Sequence, residues 1–226
     1  MKPETPLRRT TPQHKGLIFV TNIVFDFGAV LFNWQPHQLV QQHFPDHAPT
    51  EARSRGLASA IFHHADWKAF DSGRLAQDTV IARTADRLAL PQTTVHALVS
   101  GIATHLQPIE PTVRLLRQLH ARRDSHADLR LYFLSNMPAP FARVLEQRHD
   151  FLGLFDGGVF SGDVLLAKPQ PEIYQLVETR YGLEPSSTIF VDDLLANVLV
   201  ARARGWRAVH FESAAQLAPH LAAWLP

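Results

Sequence analysis

The chain has no cysteine. That excludes disulfides, thiolate metal sites and a cysteine nucleophile, and it is compatible with a cytoplasmic protein. A membrane-spanning segment is also missing: Leu17 to Val20 is apolar but far too short to cross a bilayer, and extends the first strand or lies against the sheet. Residues 1–15 are rich in Pro, Thr and basic side chains. They lack the apolar core of a signal peptide and read as a mobile tail. Neither sign of charge is in excess, the net charge being +1, so nothing points to nucleic acid or to an anionic membrane surface. The 13 histidines are scattered without zinc-ligand spacing, and no internal repeat is visible.

What is present is ordinary globular material: 226 residues, 46% hydrophobic and 19% charged, enough for one or two domains with a sizeable core. The organising stretch is Ile23-Val24-Phe25-Asp26-Phe27-Gly28. A buried parallel strand reads as a near-continuous apolar run, so the pattern predicts a central strand with Asp26 at its carboxyl end. Gly28 lets the chain turn there and lets its backbone approach a ligand. Taken alone, Asp26 equally suits a helix cap or a turn.

Three later stretches give it context. Leu131 to Asn136 predicts a strand ending in a hydroxyl and an amide, Ser135 and Asn136. Lys168-Pro169 stands just before a helix start. Ile189-Phe190-Val191-Asp192-Asp193 predicts a strand ending in two carboxylates. Apolar strands alternate with helices through the second half of the chain. Pro111 and Pro138 open helices, and Gly182 and Gly205 close them. That alternation predicts right-handed βαβ units and a doubly wound parallel sheet, an α/β fold. Residues 36–106 show helical spacing only, in Gln38 to Phe44, Ala76 to Leu88 and Thr93 to Leu106, broken at Asp71-Ser72-Gly73-Arg74.

From about Asn22 to Trp224 these motifs resemble the haloacid dehalogenase-like (HAD) hydrolase superfamily. The acid, serine, lysine and acid pair stand in its order, and the stretch from Asp26 to Val30 is similar to a sugar-phosphate phosphatase branch. The resemblance implies a Rossmann-like core at 16–35 and 107–226, a small inserted helical cap at 36–106, and the Asp26 strand lying between those of Ser135 and Asp193. It implies Mg²⁺ held by Asp26, the Gly28 carbonyl and Asp193, with Asp192 orienting ligand waters.

The chemistry fits those groups. A carboxylate such as Asp26 can attack phosphorus and form an aspartyl-phosphate that water cleaves. Lys168 would steady the nucleophile and the phosphoryl oxygens. Ser135 and the amides around Asn136 would hold those oxygens, or simply cap the next helix. Asn197 would reach the metal site or lie on a helix surface. His63 and Trp67 would form the pocket roof and contact substrate, although His63-His64 also suits cap packing. The departure from the family is Gly28, where most family phosphatases carry a second aspartate as general acid. Water or a cap residue would then protonate the leaving group. The expected activity is a Mg²⁺-dependent phosphatase for a small soluble phosphomonoester, such as a sugar phosphate. A metal-independent 2-haloacid dehalogenase and a catalytically silent HAD-fold binding protein are the alternatives.

Overall fold

The computed structural model describes residues 20–123 and 128–225. The tail at 1–15 and the residues 16–19 placed at the start of the core lie outside them. Five strands form one parallel sheet: β1 (Thr21–Phe25), β2 (Leu129–Ser135), β3 (Gly157–Phe160), β4 (Thr188–Asp192) and β5 (Arg207–His210). Their order is β3-β2-β1-β4-β5. β1 is central, in register with β2 through Phe25↔Phe133 and with β4 through Phe25↔Val191. The chain winds outward from β1 in both directions, so the carboxyl ends of β1, β2 and β4 lie side by side at the reversal of strand order. Ligands of open α/β sheets bind at that point.

Side-chain alternation divides the strands between two layers. Ile23, Phe25, Leu131, Ile189 and Val191 face one core. On that side lie α6 (Glu110–Arg122), α7 (Ala139–Arg148) and α10 (Ala214–Trp224). Val24, Tyr132, Leu134 and Phe190 face the other core, with α8 (Pro171–Tyr181) and α9 (Leu195–Ala203).

Between β1 and α6 come five helices: α1 (Pro36–His43), α2 (Glu51–Phe62), α3 (Ala65–Asp71), α4 (Gln77–Leu88) and α5 (Gln92–His105). Among the described residues this insert holds no strand, as its spacing predicts. α2 and α3 carry no clear periodicity. α2 contains Gly56 and buries only Ser54, Ala58, Ile61 and Phe62, and its start is set by Thr50, whose hydroxyl accepts from the Arg53 N–H at 3.3 Å. His63 closes α2, and His64 caps α3 by accepting from the Asp66 N–H.

The insert is firmly attached. Its two ends run together, with Asn33 N–H donating to Gln107 O at 2.8 Å and Ile109 N–H to Leu31 O at 2.7 Å. Its buried residues Ile61, Trp67, Phe70, Leu98 and Ile102 belong to the same apolar cluster as Phe25 and Leu116. A run of edge-on ring contacts, Trp34–Phe62–Trp67–Phe70–Phe141, passes from just before the insert, through it, to α7.

One expectation about the first turn needs correction. Gly28 does not supply the left-handed residue; Ala29 does, with φ 55°. A Cβ built on Gly28 would meet nothing closer than the Trp34 Cβ, at 4.0 Å. The turn is held instead by Phe27 O, which accepts from the N–H groups of Leu31 and Phe32.

Candidate active site

Asp26 follows β1 directly and stays pinned to the sheet, its N–H donating to Val191 O at 2.9 Å. Its Oδ1 accepts from the Phe27 N–H at 2.7 Å and lies 2.8 Å from Lys168 Nζ. Oδ2 has no partner among the described residues. Burial raises the Asp26 pKa to about 7. Lys168 opposes that rise, while Asp192 and Asp193 reinforce it.

Lys168 is buried, with its side chain 1% exposed. Nζ donates to Asp192 Oδ2 at 2.6 Å. Burial works against its charge, but Asp192 and Asp26 outweigh burial and hold the pKa above the ordinary value. The lysine backbone is clamped by Asn136: the Lys168 N–H donates to Oδ1 at 2.8 Å, and Nδ2 donates to Lys168 O at 2.9 Å. The Asn136 side chain therefore joins the end of β2 to the lysine loop. Its backbone N–H and the Ser135 hydroxyl have no hydrogen-bond partner among the described residues.

The two acids after β4 differ. Asp192 is fully buried. Its Oδ1 accepts from the Leu194 N–H at 2.8 Å and from Asn197 Nδ2 at 2.9 Å, and its Oδ2 from Lys168. Asn197 is thus buried beneath the site rather than on a helix surface. The Asp193 carboxylate has no ion pair among the described residues and accepts from its own backbone N–H. Burial, then the neighbouring Asp192, raises its pKa to about 6. Oxygens of Asp26, Asp192 and Asp193 lie within 4.8 Å of one another. Hard oxygen donors at that spacing suit a magnesium-sized cation. Asp193 keeps a free oxygen for it, Asp26 can share Oδ1, and the Gly28 carbonyl accepts no hydrogen bond among the described residues. Asp192 has its oxygens committed elsewhere.

These groups open onto a cavity of about 450 Å³. Asp26, Gly28, Ser135, Asn136, Lys168 and Asp193 line it, and so do His63 and Trp67 from the insert. Trp67 is 5% exposed and sits within the ring stack, so it is a core residue as well as a wall residue. His63 is exposed at the mouth, with Nδ1 3.1 Å from Ser59 Oγ. Much of the remaining wall is apolar: Trp34, Phe62, Ile102, Leu106, Met137 and Phe141. Sequence reasoning missed that wall, and it missed Asp71, which lines the same cavity.

A parallel sheet that gathers an acid, a lysine and an acid pair over one cavity defines a hydrolase-type α/β enzyme. Residues 22–205 match the haloacid dehalogenase-like hydrolase family, and the chain belongs to it. Among curated proteins it is 29% identical to the sesquiterpene phosphatase astK of Aspergillus oryzae, over 83% of this chain and 87% of that one. It is 28% identical to the drimenol cyclase drtB of Aspergillus calidoustus, over 85% of this chain but only 34% of that longer protein. The HAD family enzyme bt-2542 of Bacteroides thetaiotaomicron, solved with magnesium and inorganic phosphate, superposes with a TM-score of 0.67 at 18% identity, over 88% of this chain and 98% of that one. The L-2-haloacid dehalogenase of Xanthobacter autotrophicus with covalently bound chloropropionic acid gives 0.62 at 20% identity, over 92% and 84%. At these identities the two structures share the fold.

Proposed function

We propose that the protein is a Mg²⁺-dependent phosphomonoesterase whose preferred ester carries an apolar alcohol. The observation that carries the reading is the free Oδ2 of Asp26, set beside the buried Lys168 and the unpaired Asp193. Asp26 Oδ2 is the nucleophile toward phosphorus. Lys168 Nζ fixes the other oxygen of that carboxylate and offers positive charge to the phosphoryl group. Ser135 Oγ and the Asn136 N–H are free to donate to phosphoryl oxygens. Asp193 and the Gly28 carbonyl, with Asp26 sharing Oδ1, would hold Mg²⁺, which when bound offsets the charge between carboxylate and phosphate. Asp192 acts through Lys168, holding its ammonium in place. The insert, residues 36–106, serves as the cap that roofs the site.

The apolar part of the wall shifts the expected substrate away from a sugar phosphate. A sugar brings hydroxyls that Trp34, Phe62, Ile102, Leu106 and Phe141 cannot pair, and an unpaired buried hydroxyl costs about 1–3 kcal/mol. An alkyl or isoprenoid chain gains about 0.8 kcal/mol per buried methylene there. Leu194 at the cavity, 55% exposed, extends the apolar surface outward. The likeness to a sesquiterpene phosphatase supports the same reading.

The test is phosphate release from farnesyl phosphate and from glucose 6-phosphate, with Mg²⁺ and with excess chelator. Farnesyl phosphate should be preferred in kcat/KM by about a hundredfold or more, and chelator should stop both reactions. Full activity in chelator would remove the metal-assisted mechanism, and halide release from a 2-haloacid would then favour the dehalogenase. Preference for the sugar phosphate would remove the apolar assignment alone.

A further inference from the structure

Cleaving an alkyl phosphate ester leaves an alkoxide that needs a proton, and position 28 has no side chain to give one. The question is which other group at the cavity can. Arg55 is exposed, pairs with Glu51 and does not release its proton. His63 is exposed at the mouth beside Ser59. Lys168 is held charged between two carboxylates. Outside the nucleophile and the metal-side acids, the wall residues with a transferable proton and no ion pair are His37, in the first turn of α1, His63 and Asp71, the last residue of α3; of these, Asp71 is the one tied to the core beside Ser135.

Its position is tightly set. The Ser161 hydroxyl donates to Asp71 O and accepts from the Met137 N–H at 2.8 Å. One hydroxyl thus ties the Asp71 backbone to the loop two residues past Ser135. The turn that follows is pressed against the core: Gly73 has φ 71°, and a Cβ there would come within 2.3 Å of Gly162 O. Arg74 then reaches across to donate to Leu165 O at 2.6 Å. The segment around Asp71 is therefore docked on the core beside the phosphate-side loop. The carboxyl has Trp67 as its hydrogen-bonding neighbour, and burial, opposed by that contact, pushes its pKa well up. A buried carboxyl with a raised pKa, at the wall of a cavity, can serve as a proton donor.

We propose that Asp71 is the general acid of the reaction, supplying from the insert the proton that Gly28 cannot. The assignment rests on the phosphatase reading above. As Asp26 Oδ2 bonds to phosphorus, the ester P–O bond breaks. Its electron pair goes to the leaving oxygen, which takes the Asp71 proton and departs as the alcohol. Asp71, now a carboxylate, accepts a proton from the water that attacks the phosphorus of the aspartyl-phosphate. Phosphate leaves, and Asp26 is again a carboxylate. The sum is ester plus water giving alcohol plus phosphate, with both acids restored.

The experiment measures kcat/KM for p-nitrophenyl, phenyl and hexyl phosphate with Mg²⁺, in wild type and in Asp71→Asn. p-Nitrophenolate is stable as an anion and hardly needs a proton, whereas hexanolate needs one. Wild type should depend weakly on the leaving group. Asp71→Asn should lose about a hundred- to ten-thousandfold on hexyl phosphate and less than about tenfold on p-nitrophenyl phosphate. With the latter it should also show a burst of p-nitrophenolate and accumulate phosphoenzyme, because the water has lost its base. Equal losses on all three esters, or no loss, would overturn the assignment. Asp71→Glu keeps a carboxyl and should keep the weak dependence on the leaving group. If Asp71→Asn does not fold, a steep dependence in Asp71→Glu overturns the assignment and a weak one upholds it. Wild type inactive on every ester would instead defeat the phosphatase reading itself.

Discussion

Consider the metal-free protein as pH rises from about 5 to about 8. Asp26 and Asp193 have pKa values of about 7 and about 6 in the fold, against 3.8 as the ordinary value. Both are raised, so between the ordinary and the folded values the folded chain holds protons that the unfolded chain has released. Stability then falls as pH rises through that window, and it is greatest below it. Each group contributes about 1.4 kcal/mol per pH unit, so Asp26 alone removes about 4 kcal/mol by pH 7. That is a large share of a typical total of about 5–15 kcal/mol. For a chain of this size it amounts to about 8–16 °C in Tm. Mg²⁺ should reverse the loss, because it binds the ionised pair. At a hundred times its Kd it stabilises by about 2.7 kcal/mol.

The assay is thermal unfolding in chelator and in Mg²⁺ across that pH range, for wild type and Asp193→Asn. In chelator the wild-type Tm should fall toward high pH, and the variant, without one of the two clustered charges, should fall less. The Mg²⁺ shift should be small at about pH 5, several degrees at about pH 8, and largely absent in Asp193→Asn. A metal-free Tm that falls equally in both proteins would refute the placement of Asp193 in a shared charge cluster. A Mg²⁺ shift of equal size at both pH values would refute carboxylate binding of the ion.

Asp26→Asn should abolish turnover of every ester while leaving the fold intact, as a melting curve and phosphate assays will show. Lys168→Met leaves Asp26 and Asp192 buried without their cation. It should lower stability by about 3–5 kcal/mol in chelator, measured by denaturant unfolding, with part of the loss recovered by Mg²⁺. Lengthening a straight-chain alkyl phosphate by four methylenes should raise kcat/KM by about a hundredfold, and Phe141→Ser should flatten that trend without altering the rate on p-nitrophenyl phosphate to a similar degree. Gly28→Asp meets no backbone obstacle. Added to Asp71→Asn, it should restore hexyl phosphate turnover by about a hundredfold, and added to wild type it should change little.

Much of the core was readable because its physics is local. β1, β2 and β4 are buried on both faces, so their apolar runs are continuous and their polar ends stand out. Helices opened by proline and closed by Gly182 or Gly205 carry their own punctuation. α2 and α3 were not readable individually, because their stability comes from ring packing by Phe62, Trp67 and Phe70 rather than from periodicity. The acid pair was visible, yet its division of labour was only half visible: the buried Asp192 serves Lys168, and Asp193 has no ion pair among the described residues. The apolar wall is assembled from residues as distant in sequence as Trp34 and Phe141, and no local pattern marks such a surface.

Asp71 shows a different kind of illegibility. In the sequence Asp71-Ser72-Gly73-Arg74 is a break between helices, and its acid, serine and glycine suit a turn on any surface. The structure retains that local meaning, with Ser72 capping α3 and Gly73 in the left-handed region. What changes is the neighbour. Gly73 can approach Gly162 because neither has a side chain, and that approach carries Asp71 to the cavity. Gly28, with an ordinary φ and open space around its Cα, shows no backbone need for glycine. Its lack of a carboxyl has no structural cause within the turn, and a donor elsewhere makes it tolerable. A donor on the insert also joins protonation to the element that forms the apolar wall, through Trp67, which touches both. An ester whose alcohol fills that wall brings its leaving oxygen toward the insert, while a poorly fitting ester leaves the proton out of reach. Selectivity for the apolar alcohol should therefore be expressed in the P–O cleavage step as well as in binding. It should shrink in Asp71→Asn, where cleavage of every ester is equally unassisted.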